Sequence, residues 1–187
     1  MDIKAEELLY KLQTRQPLPQ PTQVYVVFGE DDYYRSQIAS ALPAYVYGDT
    51  PEADRQITVF EKDTEISAVS EAVNTYPFFS GQSLVILKDE KLWSKGGEDA
   101  KAAVIDKLAE LVSDVPDYCT LLITAEKLDK RTKFFKALKK SALLCECASL
   151  RPYELQPWLD AQAERYGAHF VHDAIGMIME YLAPVEK

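Results

Sequence analysis

Apolar residues in this chain fall into short unbroken runs, separated by longer stretches in which they recur every three or four positions. Val24-Tyr25-Val26-Val27-Phe28 is the clearest run. It is β-branched and aromatic with no polar face, which predicts a strand buried on both sides. Ser83 to Leu87, Tyr118 to Thr124 and Leu143 to Cys147 predict further strands, with weaker extended runs at Tyr45 to Tyr47 and Ile57 to Phe60.

The helical stretches lie between these runs. Leu8, Leu9 and Leu12 share one face of a first helix, which Gln16-Pro17-Leu18-Pro19-Gln20-Pro21 turns into an extended strap, because closely spaced prolines forbid helix continuation. Gly29 ends the first strand, and a helix is predicted from Tyr33 to Leu42. Ile66, Val69 and Val73 mark another, capped by Asp63 or Thr64 and finished near Asn74, since Pro77 disfavours helix at Tyr76. Ala103, Val104, Leu108 and Leu111 define a helix over Ala100 to Val112, behind a flexible Ser94-Lys95-Gly96-Gly97 loop. Lys130 to Lys140 reads as a basic amphipathic helix, and Tyr153 to Tyr166 as a helix ended by Gly167.

Strands alternating with helices of this length predict an α/β fold, a mainly parallel sheet with helices on both faces. From Arg151 onward the pattern is helical only, which places a boundary near Ser149 to Pro152. The expected division is an α/β domain over 1–149 and the beginning of a small helical domain over 150–187. The last segment, Asp173 to Leu182, has too few partners to close a bundle, so that domain is expected to be incomplete.

The chain has 187 residues, 47% of them hydrophobic, enough for one full core and the start of a second. A formal charge of -9 works against phosphate-backbone binding by the chain as a whole. Cys119, Cys145 and Cys147 are an odd set that suits a reducing, cytoplasmic setting better than a disulfide framework. The N-terminal segment carries neither a signal-peptide pattern nor a membrane span.

A buried strand, a glycine and then a helix is where a phosphate-binding loop sits in nucleotide-binding folds. Gly29, Glu30, Asp31, Asp32, Tyr33, Tyr34, Arg35 and Ser36 occupy that place. Gly29 and Ser36 match the spacing, but Tyr34 replaces the second glycine and Arg35 the lysine. A tyrosine obstructs close backbone approach, and three carboxylates in a row repel a triphosphate. No nucleotide is expected there, and Asp31 or Asp32 is expected to cap the following helix. Leu87-Lys88-Asp89-Glu90 is similar to the strand-plus-Asp-Glu that positions magnesium in NTPases, but the extra lysine turns the carboxylates to the other face. No working metal site is expected from it.

Other residues invite chemistry and are answered by plainer readings. Cys145-x-Cys147 with His169-x-x-His172 contains four residues able to ligate zinc, but without the usual spacing inside the cysteine pair, so the thiols read as small core residues. Nothing nearby would activate them as nucleophiles. Lys127, Lys130, Arg131, Lys133, Lys136, Lys139 and Lys140 could meet nucleic acid or an acidic surface, and a solvated helix face is the commoner use of such a run. Trp93 and Trp158 read as packing residues. Tyr76, Phe78 and Phe79 place three rings at a turn closed by Ser80-Gly81, either as an interface anchor or tucked under the sheet.

Four segments resemble the delta subunits of the bacterial DNA polymerase III clamp loader: Val24 to Asp31, Tyr76 to Leu87, Leu128 through Lys140, and the domain entry Leu150-Arg151-Pro152-Tyr153-Glu154-Leu155. The resemblance implies an AAA+-like first domain without ATPase activity or a bound cofactor, followed by a helical lid. A third, collar domain that holds the loader together would lie beyond this chain. It further implies a role in DNA replication: binding the ring-shaped sliding clamp, the beta subunit, and helping to open it for loading onto primed DNA. The other loader subunits would be partners through the collar, and DNA would be met only as part of the complex. In the family an apolar pair after the clamp-facing helix wedges into a pocket on the ring. By position that pair falls on Pro77 and Phe78, with Tyr76 and Phe79 beside it, and proline stands where some relatives carry leucine. The alternatives from other classes are a nucleotide-hydrolysing enzyme with an unorthodox phosphate loop and an α/β adaptor of another assembly.

Overall fold

A computed structural model describes residues 2–19, 22–88, 98–171 and 174–182. Six strands form one sheet: β1 (Asp2–Ile3), β2 (Val24–Phe28), β3 (Gln56–Phe60), β4 (Ser83–Leu87), β5 (Cys119–Ala125) and β6 (Ala142–Glu146). Their spatial order is β1-β6-β2-β5-β4-β3, and every pairing is parallel. β2 and β4 are buried at every position, as unbroken apolar runs require.

Side chains alternate between two cores. Val24, Val26 and Phe28 join Val85, Leu87, Leu121, Ile123 and Leu144 on one face of the sheet, while Tyr25, Val27, Leu84, Ile86 and Leu143 line the other. Among the described residues, three helices cover the first face, α3 (Ile66–Asn74), α4 (Glu98–Leu111) and α5 (Lys133–Ser141). Two cover the second, α1 (Ala5–Gln13) through Leu8, Leu9 and Leu12, and α2 (Asp32–Tyr47) through Tyr34, Ile38, Leu42 and Tyr47. Ile66, Val69 and Val73 are buried at the spacing read from the sequence.

Several expectations are corrected. Tyr45 to Tyr47 is not a strand but the last turn of α2, which runs on through Pro43. Leu42 and Tyr47 both pack into the second core, and the Tyr47 hydroxyl donates to the Gln56 carbonyl at 2.5 Å, so tertiary packing outweighs the local β preference. Neither Asp63 nor Thr64 caps α3: the cap is Glu65, and Asp63 takes a left-handed φ of 49°, turning the chain before the first free amides. On α4, Ala103 is exposed and Ile105 packs against the core instead. Lys130 to Thr132 form the turn before α5 rather than its first residues, because Thr132 caps the helix by accepting from Phe135 N–H at 3.2 Å. The two-residue β1 was not legible, since so short an edge strand has no periodicity to detect.

The chain divides into two compact units, Met1–Ala148 and Ser149–Lys187. The second contains α6 (Pro152–Arg165) and α7 (Ala174–Leu182). Pro152 opens α6, where no N–H is needed, and the Arg151 N–H donates to the Glu154 carboxylate at 2.8 Å. Gly167, at φ 65°, lets the chain leave the helix. The Ser94-to-Gly97 loop, Asp89, Glu90, Trp93 and His172 lie outside the described residues.

Candidate functional site

The phosphate-loop position is closed by the main chain. Gly29 adopts φ 132°, and its α-carbon faces the Cys147 carbonyl so closely that a β-carbon would overlap it. The Gly29 N–H donates to the Ala125 carbonyl at 3.0 Å, the Asp31 N–H to the Cys147 carbonyl at 3.0 Å, and the Cys147 N–H to the Phe28 carbonyl at 2.6 Å. Asp31 caps α2, its carboxylate accepting from Tyr34 N–H at 3.2 Å. The amides of Gly29, Asp31 and Tyr34, which a phosphate would need, are therefore already bonded within the protein.

The side chains of the loop are engaged in the same way. Tyr34 is buried, and its hydroxyl donates to the Glu6 carboxylate at 3.1 Å. Arg35 reaches back to Asp32 at 3.0 Å, and Glu30 lies 3.7 Å from Lys127. Asp32, Arg35 and Ser36 border a cavity of about 290 Å3 with Lys88 and Thr124.

At the other end of the sheet, the chain leaving α3 projects an aromatic turn. The last carbonyls of α3 are met by side chains: Thr75 Oγ1 donates to Glu71 at 2.7 Å, and Asn74 Nδ2 to Ser70 at 2.8 Å. The Tyr118 hydroxyl donates to the Asn74 carbonyl at 2.9 Å, and its ring meets Tyr76 edge-on with centroids 5.1 Å apart. Beyond the turn, Ser80 Oγ donates to the Gln82 carbonyl at 2.6 Å, Gly81 takes φ 67°, and the Ser83 N–H donates to the Tyr118 carbonyl at 2.8 Å. Tyr118 thus buttresses both stems.

Between these anchors Phe78 is 87% and Phe79 84% exposed, with Tyr76 at 67%. Pro77 is buried. The exposed apolar pair is accordingly Phe78 and Phe79. Burying a phenylalanine is worth about 1.5–3 kcal/mol, and neither ring contributes that to the fold. Sequence reading placed Tyr118 at the start of a strand and missed its support of the turn. It lies far along the chain, and no local signal links it to the turn.

The remaining candidates separate. Cys119, Cys145 and Cys147 are free and buried. The Cys147 side chain, together with burial, pushes the Cys145 thiol up, and burial pushes Cys119 up, so both are held protonated and unreactive. Among the described residues no group of three or more metal-ligating side chains converges, and His169 is exposed. In the basic stretch, Lys130 pairs with Glu146 at 2.8 Å and Lys133 with Asp106 at 3.1 Å. Arg131 grips Asp129 at 2.9 Å, and hydrogen bonding from its side chain holds the Asp129 carboxyl at about 2. Trp158 in α6 is half-buried. No helix among the described residues is long and apolar enough to cross a membrane.

Comparison with known proteins gives a consistent result. The family described as DNA polymerase III, delta subunit matches residues 25–148. DNA polymerase III subunit delta of Bacillus subtilis strain 168 is 30% identical over 138 residues, which are 70% of this chain and 39% of that protein. The solved structure of the Bacillus subtilis DNA clamp loader delta protein superposes with a TM-score of 0.64 at 23% identity, over 87% of this chain and 48% of that one. The chain therefore spans less than half the length of the relatives it matches. The fold is the expected AAA+-like parallel sheet with helices on both faces, followed by helices.

Proposed function

The chain belongs to the DNA polymerase III delta-subunit family, and on that premise we propose that it is a non-catalytic clamp-loader component that grips the sliding clamp through the turn from Tyr76 to Phe79. One observation carries the reading: Phe78 and Phe79 stand almost fully exposed on a turn whose two stems are fixed by hydrogen bonds. Exposed aromatic side chains on a rigid support are what an interface anchor requires, because little entropy remains to be lost on binding. Tyr76 flanks the pair, and Pro77 between them is buried.

Wedging the two rings into an apolar pocket of the ring would help to open it. A rotation imposed by neighbouring ATPase subunits would engage or withdraw the grip. This chain would supply no hydrolysis, since the amides of its loop are consumed by Ala125, Cys147 and Asp31. DNA replication in the cytoplasm is the setting, with primed DNA met through the assembled loader.

The test is clamp binding by the 187-residue chain and its Phe78→Ala and Phe79→Ala variants. Each truncation is expected to weaken binding about 10- to 100-fold, from the roughly 1.5–3 kcal/mol of a buried ring. Undiminished affinity in both variants would overturn the assignment. A rise in thermal stability on adding ATP and magnesium would favour a nucleotide enzyme instead.

A further inference from the structure

Another cavity of the first unit lies beside Phe28, at the end of β2, and not at the aromatic turn. It has a volume of about 540 Å3 and sits between α5 and the edge of the sheet formed by β1 and β6. Its floor is apolar, made by Phe28, Phe135 and Leu144. Lys4 stands on one wall, at the end of β1, and Lys136 and Lys139 stand on the other, along α5. All three lysines are exposed, and no anion of the described residues pairs with them. Lys130, at one end, is neutralised by Glu146, and Asp2 adds a second carboxylate to the rim.

A cluster of unpaired cations over an apolar floor is unexpected in a chain of net charge -9. Among the described residues no carboxylate pairs with Lys4, Lys136 or Lys139, although the Lys139 amine lies 6.0 Å from the Phe135 ring centroid. We infer that this groove is a docking site for an acidic peptide segment of a partner protein, one carrying an apolar side chain between its carboxylates. The apolar residue would enter the floor, and its acidic neighbours would meet Lys4, Lys136 and Lys139 on either wall.

Nucleic acid fits less well. The floor is two rings that are each 5% exposed and meet edge-to-face at 6.0 Å, too little ring surface for stacking successive bases, whereas one apolar side chain needs only a single contact. Asp2 and Glu146 on the rim would also repel a continuous polyanion, whereas a peptide can space its charges around them. The inference is independent of the aromatic turn.

The experiment titrates the whole 187-residue chain with a fluorescein-labelled peptide of aspartates and glutamates around one central phenylalanine. A second peptide has serine in place of the phenylalanine, and an oligothymidylate carries equal charge. The expected result is salt-sensitive binding of the first peptide that falls at least about tenfold in Lys136→Glu/Lys139→Glu, as removal of two facing charges implies. The serine peptide and the oligothymidylate should both bind more weakly. Lys4→Glu, on a different element, should lower affinity in the same direction, and it carries the test if the double variant proves unfolded by circular dichroism. Failure of the peptide to bind, affinity unchanged by charge reversal, equal binding of the serine peptide, or tighter binding of the oligothymidylate would each overturn the proposal.

Discussion

Gly29 stands at φ 132° against the Cys147 main chain, a position where any side chain is both strained and obstructed. Gly29→Ala should therefore destabilise the fold by at least about 1–3 kcal/mol from backbone strain alone, read as a lower urea midpoint at unchanged slope. A nucleotide-binding glycine is kept open for its ligand, whereas this one is closed on its own protein. The sequence showed the wrong bulk at Tyr34 and the wrong charge at Glu30, Asp31 and Asp32. It could not show that Cys147, more than a hundred residues on, takes the space, nor that Tyr34 is held from the other side by Glu6. Reactive chemistry at the cysteines is likewise decided by surroundings, since the hydrogen bond with the Cys147 thiol, and then burial, push the Cys145 thiol up.

At the scale of the element, caps and buried faces explain where helices begin and end. Asp31 holds the first turn of α2 through the Tyr34 amide. Asp31→Ala should cost about 1 kcal/mol, measured by the same urea transition, because one amide of the first turn loses its acceptor. The contrast with α3 is instructive: Asp63 and Thr64 have the right chemistry for a cap, yet the left-handed turn at Asp63 puts the helix start at Ile66. The end of α2 makes the same point. Tyr45-Val46-Tyr47 is strand-like by composition, and it is helical because Tyr47 reaches both the second core and the Gln56 carbonyl. Short sequence windows contain propensities, but the competing contacts come from other elements.

Across the whole molecule, the aromatic residues divide into those that build the fold and those the fold displays. Phe135 is 5% exposed and packs edge-on against Phe28 in the first core. Phe135→Ala should cost about 3–5 kcal/mol, whereas the Phe78→Ala/Phe79→Ala double variant should stay within about 0.5 kcal/mol of the parent, compared by urea denaturation. A large loss in the double variant would mean that the turn serves folding rather than recognition. The sequence by itself determined the α/β class and four of the strands, because a strand covered on both faces is apolar at nearly every position. It also determined the amphipathic faces of α1 and α3, where burial on one side imposes helical spacing. It picked out the residues of the aromatic turn and the spoiled phosphate loop, since ring clusters and misplaced charges are local facts. Only the tertiary structure decided the strand order, the pairing of β1 with β6, the burial of Pro77 beside the exposed Phe78 and Phe79 in the chain, and the support of that turn by Tyr118. Each of these depends on which distant segments come to lie side by side, and hydrophobic periodicity says which face of an element is buried but not what buries it.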